Sequence, residues 1–260
     1  MTTTATFDSG VPVTAARVWR WLAALSILGN IGLNYYSQAY PFNGQTMGAV
    51  SAQYPTLITP AGYAFSIWGA IFLALTIYAV WQLLPAQRHN ALPDTIAVPL
   101  TMASVATAAW VALFAYELIE LSVLTMLVIL LALIIVYGRA RRQVLAGEAS
   151  AWVSVPFALY LGWISVASVI NITLGLRDMG VQSALNVSVL LAFGLLAIVV
   201  ALGLIISRAF QEMVYPLVLA WALVAIWVAQ RTDYPELGWA ALIGAVLVGV
   251  GGFFLSRSRA

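Results

Sequence analysis

Eight stretches of about 20 mostly apolar residues follow one another along the chain, near 18–36, 60–84, 96–116, 119–138, 152–175, 183–207, 212–230 and 237–256, with short polar connections between them. A helix of about 20 residues spans the ~30 Å hydrocarbon core of a bilayer. Inside lipid such a segment satisfies its own backbone hydrogen bonds. The expected fold is therefore an all-α polytopic membrane protein with about eight transmembrane helices. Composition agrees: 63% of residues are hydrophobic and 8% are charged, against about 25% charged in soluble domains. A chain this apolar cannot cover its surface with polar atoms, so most of its solvent must be lipid.

Charge sets the orientation. Every basic side chain other than His89 is Arg. With eight spans and a cytoplasmic N-terminus, Arg17, Arg20, Arg88, Arg139, Arg141, Arg142, Arg208, Arg257 and Arg259 fall inside, and only Arg177 and Arg231 fall outside. The positive-inside rule predicts such a split. The expected localisation is a bacterial inner membrane, with both termini cytoplasmic and residues 1–16 as a cytoplasmic tail. The net charge of +2 leaves no nucleic-acid footprint. Without Cys there are no disulfides, thiolate metal sites or Cys nucleophiles, and a single His argues against a His-based metal site or a Ser–His–Asp triad. Ser37-Gln38-Ala39 resembles a cleavage site, but the preceding run is long enough to span and is expected to be retained.

The spans 96–116 and 119–138 are joined by a tight turn around Glu117 and Glu120, which predicts an antiparallel hairpin. Pro216 stands at the start of its span, where the first turn tolerates it. The stretch 37–58 reads as the longest loop. It is uncharged, carries Tyr40, Phe42, Tyr54 and Leu57, and suits either an interfacial loop or a lid over a pocket.

Transporters and pumps place ionisable residues inside the bilayer. Here Glu117, Glu120, Asp178, Glu212 and Glu236 lie at span ends, and the span centres carry neutral groups such as Asn30, Asn34, Ser66, Thr107, Ser165, Asn171 and Asn186. That argues against a proton-coupled carrier. Glu117 and Glu120 share a face and read as solvated turn residues unless one reaches inward. Asn30 and Asn34 also share a face, suited to interhelical hydrogen bonding or to ligand contact. In the last span Ala241, Ala245 and Gly249 recur every four residues, with Gly244 and Gly251 as a second small strip. Small residues let helices approach closely. The first strip suits internal packing, a homodimer seam or a contact in a larger membrane complex.

Three segments concentrate large aromatic residues. In TPAGYAFSIWGAIF (59–72), Phe65, Trp68 and Phe72 form one stripe behind Pro60 and Gly62. In TAAWVALFAY (107–116), Trp110 and Phe114 stand one turn apart. In LYLGWISVASVIN (159–171), Tyr160, Trp163, Ala167 and Asn171 share one face, with Ala167 leaving room between the Trp and the amide. Packing between helices accounts for such faces, and so does the wall of a pocket for a flat apolar ligand.

These motifs resemble the tryptophan-rich sensory protein (TspO, translocator protein) family, a five-helix membrane fold. Tyr160, Trp163, Ala167 and Asn171 match its fifth helix; Phe65 and Trp68, with Phe72 at the next aromatic position, match its second; Trp110 and Phe114 match its third. The 37–58 loop falls where the family has its pocket-capping loop. The resemblance covers residues 17–176. Phe72 departs from the family's usual Tyr, Leu159 replaces a Pro, and three further spans follow, so the domains expected are a five-helix core at 17–180 and three additional helices at 181–260.

The resemblance implies a pocket between helices that binds a large planar or polycyclic ligand: a porphyrin or other tetrapyrrole, or a sterol-like lipid. Phe65, Trp68, Phe72, Trp110, Phe114, Tyr160, Trp163 and Ala167 would form its walls, and Asn171, Asn34 and Ser66 would supply polar contacts. The tetrapyrrole enters as ligand, with no cofactor or metal required. The family is also associated with light-driven porphyrin breakdown, although no residues here read as catalytic. A small-molecule transporter, or an accessory subunit of a membrane complex, is the alternative. No four-helix repeat supports the transporter. The three added helices are expected to pack outside the pocket.

Overall fold

The computed structural model describes residues 13–54, 56–181 and 184–257. Among these there is no strand. Eight long helical segments run in the expected order. They are α1 (Val13–Ala39), then, after a short α2 (Met47–Gln53), α3 (Ile67–Trp81), α4 (Ala91–Ala115), α5 (Ile119–Leu145), α6 (Val155–Asp178), α7 (Leu185–Phe210) and α8 (Val214–Gln230). The last segment is α9 (Pro235–Val246), continued through a π-helical turn at Leu247–Gly251 into α10 (Gly252–Arg257). Six of these segments are long and apolar enough to cross a membrane among the described residues. Those are the segments built on α3, α4, α5, α6, α7 and α9–α10; α8 is apolar but has 17 residues. The chain is an all-α polytopic membrane protein.

Part of the stretch read as loop is helical. Helix α2 forms because the Thr46 hydroxyl accepts from the Ala49 N–H at 3.2 Å, and because Met47 and Val50 bury against Val111, Phe114 and Ile119. Helix α4 begins several residues earlier than hydropathy suggested, since Asn90 caps it by accepting from the Leu92 N–H at 3.0 Å. Pro99 lies inside α4 and leaves the Thr95 carbonyl without its helical donor. Arg139 Nη1 on α5 donates to that carbonyl instead.

Helices α4 and α5 form the expected hairpin, with Glu117 in the turn at a φ of +57°. Helix α6 is the central element: it packs on α3, α5 and α8, and more than half of its residues are buried. At the cytoplasmic end expected from the Arg pattern, buried Arg20 bridges α1 and α4 through Asp94 (2.5 Å) and the carbonyls of Gln87 and Asn90 (2.7 Å each). Arg141 on α5 donates to the Gln211 carbonyl (3.1 Å) and that of Phe210, satisfying the end of α7. Glu212 caps the start of α8 by accepting from the Tyr215 N–H at 2.9 Å, and it also accepts from the Tyr137 hydroxyl at 3.3 Å.

The expected boundary at 180/181 falls in the α6–α7 connection, yet the buried apolar core crosses it without a break, from Ala24 on α1 to Val248 in the π turn. Helix α8 is the reason. A Cβ at Gly162 of α6 would lie 2.9 Å from Val218 Cβ and 3.3 Å from the Tyr215 carbonyl oxygen, so the two helices approach closely there. The Tyr215 hydroxyl also donates to Ser165 Oγ at 3.1 Å. The reading of Ala241, Ala245 and Gly249 as a seam to another molecule needs correction. Ala241 and Ala245 are buried inside the chain, where α9 packs on α7 and α8. The second strip is spent the same way, with Gly244 against Val200 and Gly251 against Leu204 of α7. Only Gly249 has open space where a side chain would go.

Candidate functional site

A small apolar cavity of about 40 Å³ lies between α3, α4, α5 and α6. Each helix contributes residues at helical spacing. Thr107, Trp110 and Phe114 come from α4 at i, i+3 and i+7; Met126 and Ile129 come from α5 at i and i+3. Helix α6 provides Trp163, Ala167, Asn171 and Leu174 at successive turns, with Ile164 and Ile170 beside them. Trp68 comes from the start of α3, and Phe65 from a 3₁₀ turn at Gly62–Ser66 that precedes it. Ser51 of α2 and Pro60 complete the lining from the connecting loop.

The aromatic rings form pairs. Phe65 meets Trp163 edge to face at 5.6 Å, Trp110 stacks on Phe114 at 4.8 Å, and Trp68 stacks on Phe72 at 5.1 Å. These geometries match the preferences of aromatic quadrupoles. Seven of the ten expected site residues line the cavity: Phe65, Trp68, Trp110, Phe114, Trp163, Ala167 and Asn171. The other three stand one layer back. Phe72 is buried behind Trp68 and reaches Tyr35 of α1 at 6.0 Å. Tyr160 is fully buried, with its hydroxyl on Thr107 and its ring edge against Trp68 at 5.8 Å. Asn34 turns back along its own helix, donating to the Asn30 carbonyl and Oδ1 at 2.9 Å each. Ser66, expected as a polar contact, is exposed on the outer side of its turn. Phe65 belongs to the 3₁₀ turn and Trp68 to the α-helix that begins at Ile67, so these two do not share one straight helix.

No lining side chain is charged, and the polar ones are Ser51, Thr107 and Asn171. Thr107 is committed to the Ala103 carbonyl at 2.8 Å and to Tyr160. Asn171 Oδ1 accepts from the Trp110 indole at 3.4 Å, and Nδ2 donates to Ser122 Oγ at 3.1 Å, while the Ser122 hydroxyl donates to the Ile119 carbonyl at 2.7 Å. An amide nitrogen carries two hydrogens, so the second has no partner among the described residues. Sequence reasoning missed Ser122, whose role depends on α5 lying beside α6. It also passed over Thr107 as a lining residue, although Thr107, Trp110 and Phe114 fit one stripe.

The loop over the cavity is fastened at both ends. On one side, Glu117 accepts from Gln45 Nε2 at 3.2 Å and from the Tyr54 hydroxyl at 3.1 Å, while Asn43 donates to the Ala115 carbonyl at 3.2 Å. Glu117 is thus a clasp rather than a solvated turn residue. Partial burial and the adjacent Glu117 carboxylate push the Tyr54 hydroxyl above its ordinary pKa, so it stays a donor through the neutral range. On the other side, the Ala61 N–H donates to the Ala225 carbonyl at 3.0 Å, and the Trp221 indole donates to the Ala64 carbonyl at 3.2 Å. Helix α8 does not line the cavity, but it holds the turn that carries Phe65.

A family model described as TSPO-like protein matches residues 20–254, from α1 into α10. The match extends well past residue 176, through α7, α8 and α9. No curated protein and no solved structure matches the chain.

Proposed function

Because the chain belongs to the TSPO-like protein family, a family of membrane ligand-binding or sensor proteins in general terms, we propose that it binds a flat polycyclic ligand, a tetrapyrrole or a sterol-like lipid, in the cavity between α3, α4, α5 and α6. The carrying observation is the lining itself: five aromatic side chains, from α3 and the turn before it, α4 and α6, and no charge. Aromatic walls stack on flat rings, and such a pocket fixes its ligand with few polar groups. The unspent Asn171 hydrogen suits a ligand carbonyl or hydroxyl. A ring with carboxylate substituents would orient them toward the mouth, because an unpaired carboxylate in an apolar enclosure is strongly disfavoured.

Titration of purified protein with a porphyrin tests this. Saturable quenching of Trp fluorescence is expected, weakened by Trp68→Ala and by Trp110→Ala. Absence of quenching, or affinities unchanged in both variants, would refute the assignment. We further propose that both termini face the cytoplasm of a bacterial inner membrane, as the nine-to-two Arg distribution suggests. Terminal reporter fusions active only outside the cytoplasm would reverse it.

A further inference from the structure

Five buried side-chain atoms have no hydrogen-bond partner among the described residues: Asn30 Nδ2, Tyr78 Oη, Gln82 Oε1, Ser104 Oγ and Arg141 Nε. The first four belong to α1, to α3 with its C-terminal cap, and to α4, and α1 packs on both of the other helices. A buried polar atom left unpaired is costly, so native folds keep few of them.

The four fall at two depths. Near the cytoplasmic end expected from the Arg pattern, Tyr78 and Gln82 stand four residues apart on one face. That face is turned to α1: Gln82 Nε2 donates to the Arg20 carbonyl at 3.4 Å, and Arg20 and Asp94 are the charges that act on the Tyr78 hydroxyl. Both side chains are closed off from the surface. Deeper in, Asn30 and Ser104 each stand ten residues beyond the Arg20–Asp94 bridge. Helices α1 and α4 run in parallel from that bridge toward the Asn43–Ala115 hydrogen bond past the end of α1, so ten residues carry both about 15 Å further, to one level. Asn30 Oδ1 is taken by Asn34, while its Nδ2 is unspent. Ser104 does not make the bond to the carbonyl one turn back that Thr101 and Thr107 make.

We infer that this seam binds ordered water, at one site between Tyr78 and Gln82 and at another between Asn30 and Ser104. The atoms to be satisfied select the occupant. Gln82 Oε1 can only accept and Asn30 Nδ2 can only donate, so the occupant donates at the first site and accepts at the second. A cation cannot donate to Gln82 unless it carries hydrogens, and it would stand beside the Arg20 guanidinium. An anion would face the Gln82 oxygen, and at the deeper site it would be an unpaired charge among apolar side chains. A lipid tail offers neither function. Water does both, and buried waters are held by about three bonds to such otherwise unpaired groups. The first water joins α3, which carries Trp68 in the cavity wall, to α1 beside the bridge.

Tyr78→Phe tests the first site by the sign of its effect. An unpaired buried hydroxyl penalises the fold, so removing it from a dry site would stabilise the protein. Removing it from a hydrated site deletes a hydrogen bond, and the unfolding constant, followed by circular dichroism in mixed micelles of rising SDS fraction, is expected to rise about tenfold. A constant equal to or below that of the wild type would overturn the inference there. A crystal structure of the full chain that resolves ordered solvent tests both sites. Solvent peaks are expected within hydrogen-bond reach of Tyr78 Oη and Gln82 Oε1, and of Asn30 Nδ2 and Ser104 Oγ, with the first peak missing in Tyr78→Phe. A direct hydrogen bond within either pair, or no peak beside it, would overturn the inference for that pair.

Discussion

Replacing Gly162 by Ala tests whether α8 is built into the cavity-bearing half of the molecule. The added Cβ would lie 2.9 Å from Val218 Cβ, 3.0 Å from its Cγ1 and 3.3 Å from the Tyr215 carbonyl oxygen. Carbon atoms in contact rest at about 3.5–4.0 Å, so the backbones must part by about 0.5–1 Å. Rotating Val218 offers little relief, because a helical Val holds essentially one χ1 rotamer, and the Tyr215 oxygen is backbone. Overpacking of this kind costs about 1–3 kcal/mol. Ala also favours the helix over Gly by up to about 1 kcal/mol, which masks part of the cost. Gly249→Ala supplies the reference, since its Cβ meets nothing within 4 Å. The difference between the two variants isolates the contact and should be about 1–3 kcal/mol. Unfolding in mixed micelles of rising SDS fraction, followed by circular dichroism, reads it. Equal stability of the two variants would refute the α6–α8 contact, and with it the single continuous core.

Opening the clasp should change ligand kinetics more than fold stability: Tyr54→Phe and Glu117→Gln are each expected to speed porphyrin release in stopped-flow quenching, and less than additively together, because they share one hydrogen bond; fully additive effects would deny the shared contact. Arg139→Ala should destabilise the wild type and do so less in a Pro99→Ala background, where residue 99 regains an N–H for the Thr95 carbonyl; equal losses in the two backgrounds, in the same unfolding assay, would show that Arg139 is not serving that carbonyl. Trp221→Phe keeps an aromatic ring against Tyr63 but removes the donor to the Ala64 carbonyl, so it should weaken porphyrin affinity although Trp221 is outside the cavity. Unchanged affinity would free the Phe65 turn from α8.

Much of this was legible because periodicity in lipid is a strong signal. The order of eight long helical segments, six of them long and apolar enough to cross a membrane among the described residues, the α4–α5 hairpin and the aromatic faces of α4 and α6 follow from apolar run length and from residues three or four apart. What escaped depends on facts that periodicity does not carry. Phe65, Trp68 and Phe72 fit a straight helix, but Phe65 sits in a 3₁₀ turn and Phe72 packs between Trp68 and Tyr35 of α1. Asn34 was an amide at an attractive position, but a donor that finds its own helix four residues back has no need of a ligand. The Ala241–Ala245 strip was correctly a close-approach face, and sequence does not say which helix approaches. Glu117 looked like a solvated turn residue because its partners, Gln45 and Tyr54, lie more than sixty residues away.

The arrangement around α8 explains why the division of the chain after its fifth span does not divide the molecule. The cavity is lined by residues up to Leu174, so by lining alone everything after it is dispensable. Yet the turn that aims Phe65 hangs from α8 by the Ala61–Ala225 and Ala64–Trp221 hydrogen bonds, and α6 packs closely on α8 at Gly162, one residue before Trp163. Two of the aromatic walls, Phe65 and Trp163, meet edge to face and are each held from behind by the same helix. A binding wall needs its rings fixed more than it needs more rings, because affinity rises when ordering costs are met before the ligand arrives. On that account α8 acts as the backing of the cavity, and α7 and α9, which pack on α8, keep it in place. The family match running from residue 20 to residue 254 has the same extent as this mechanical unit.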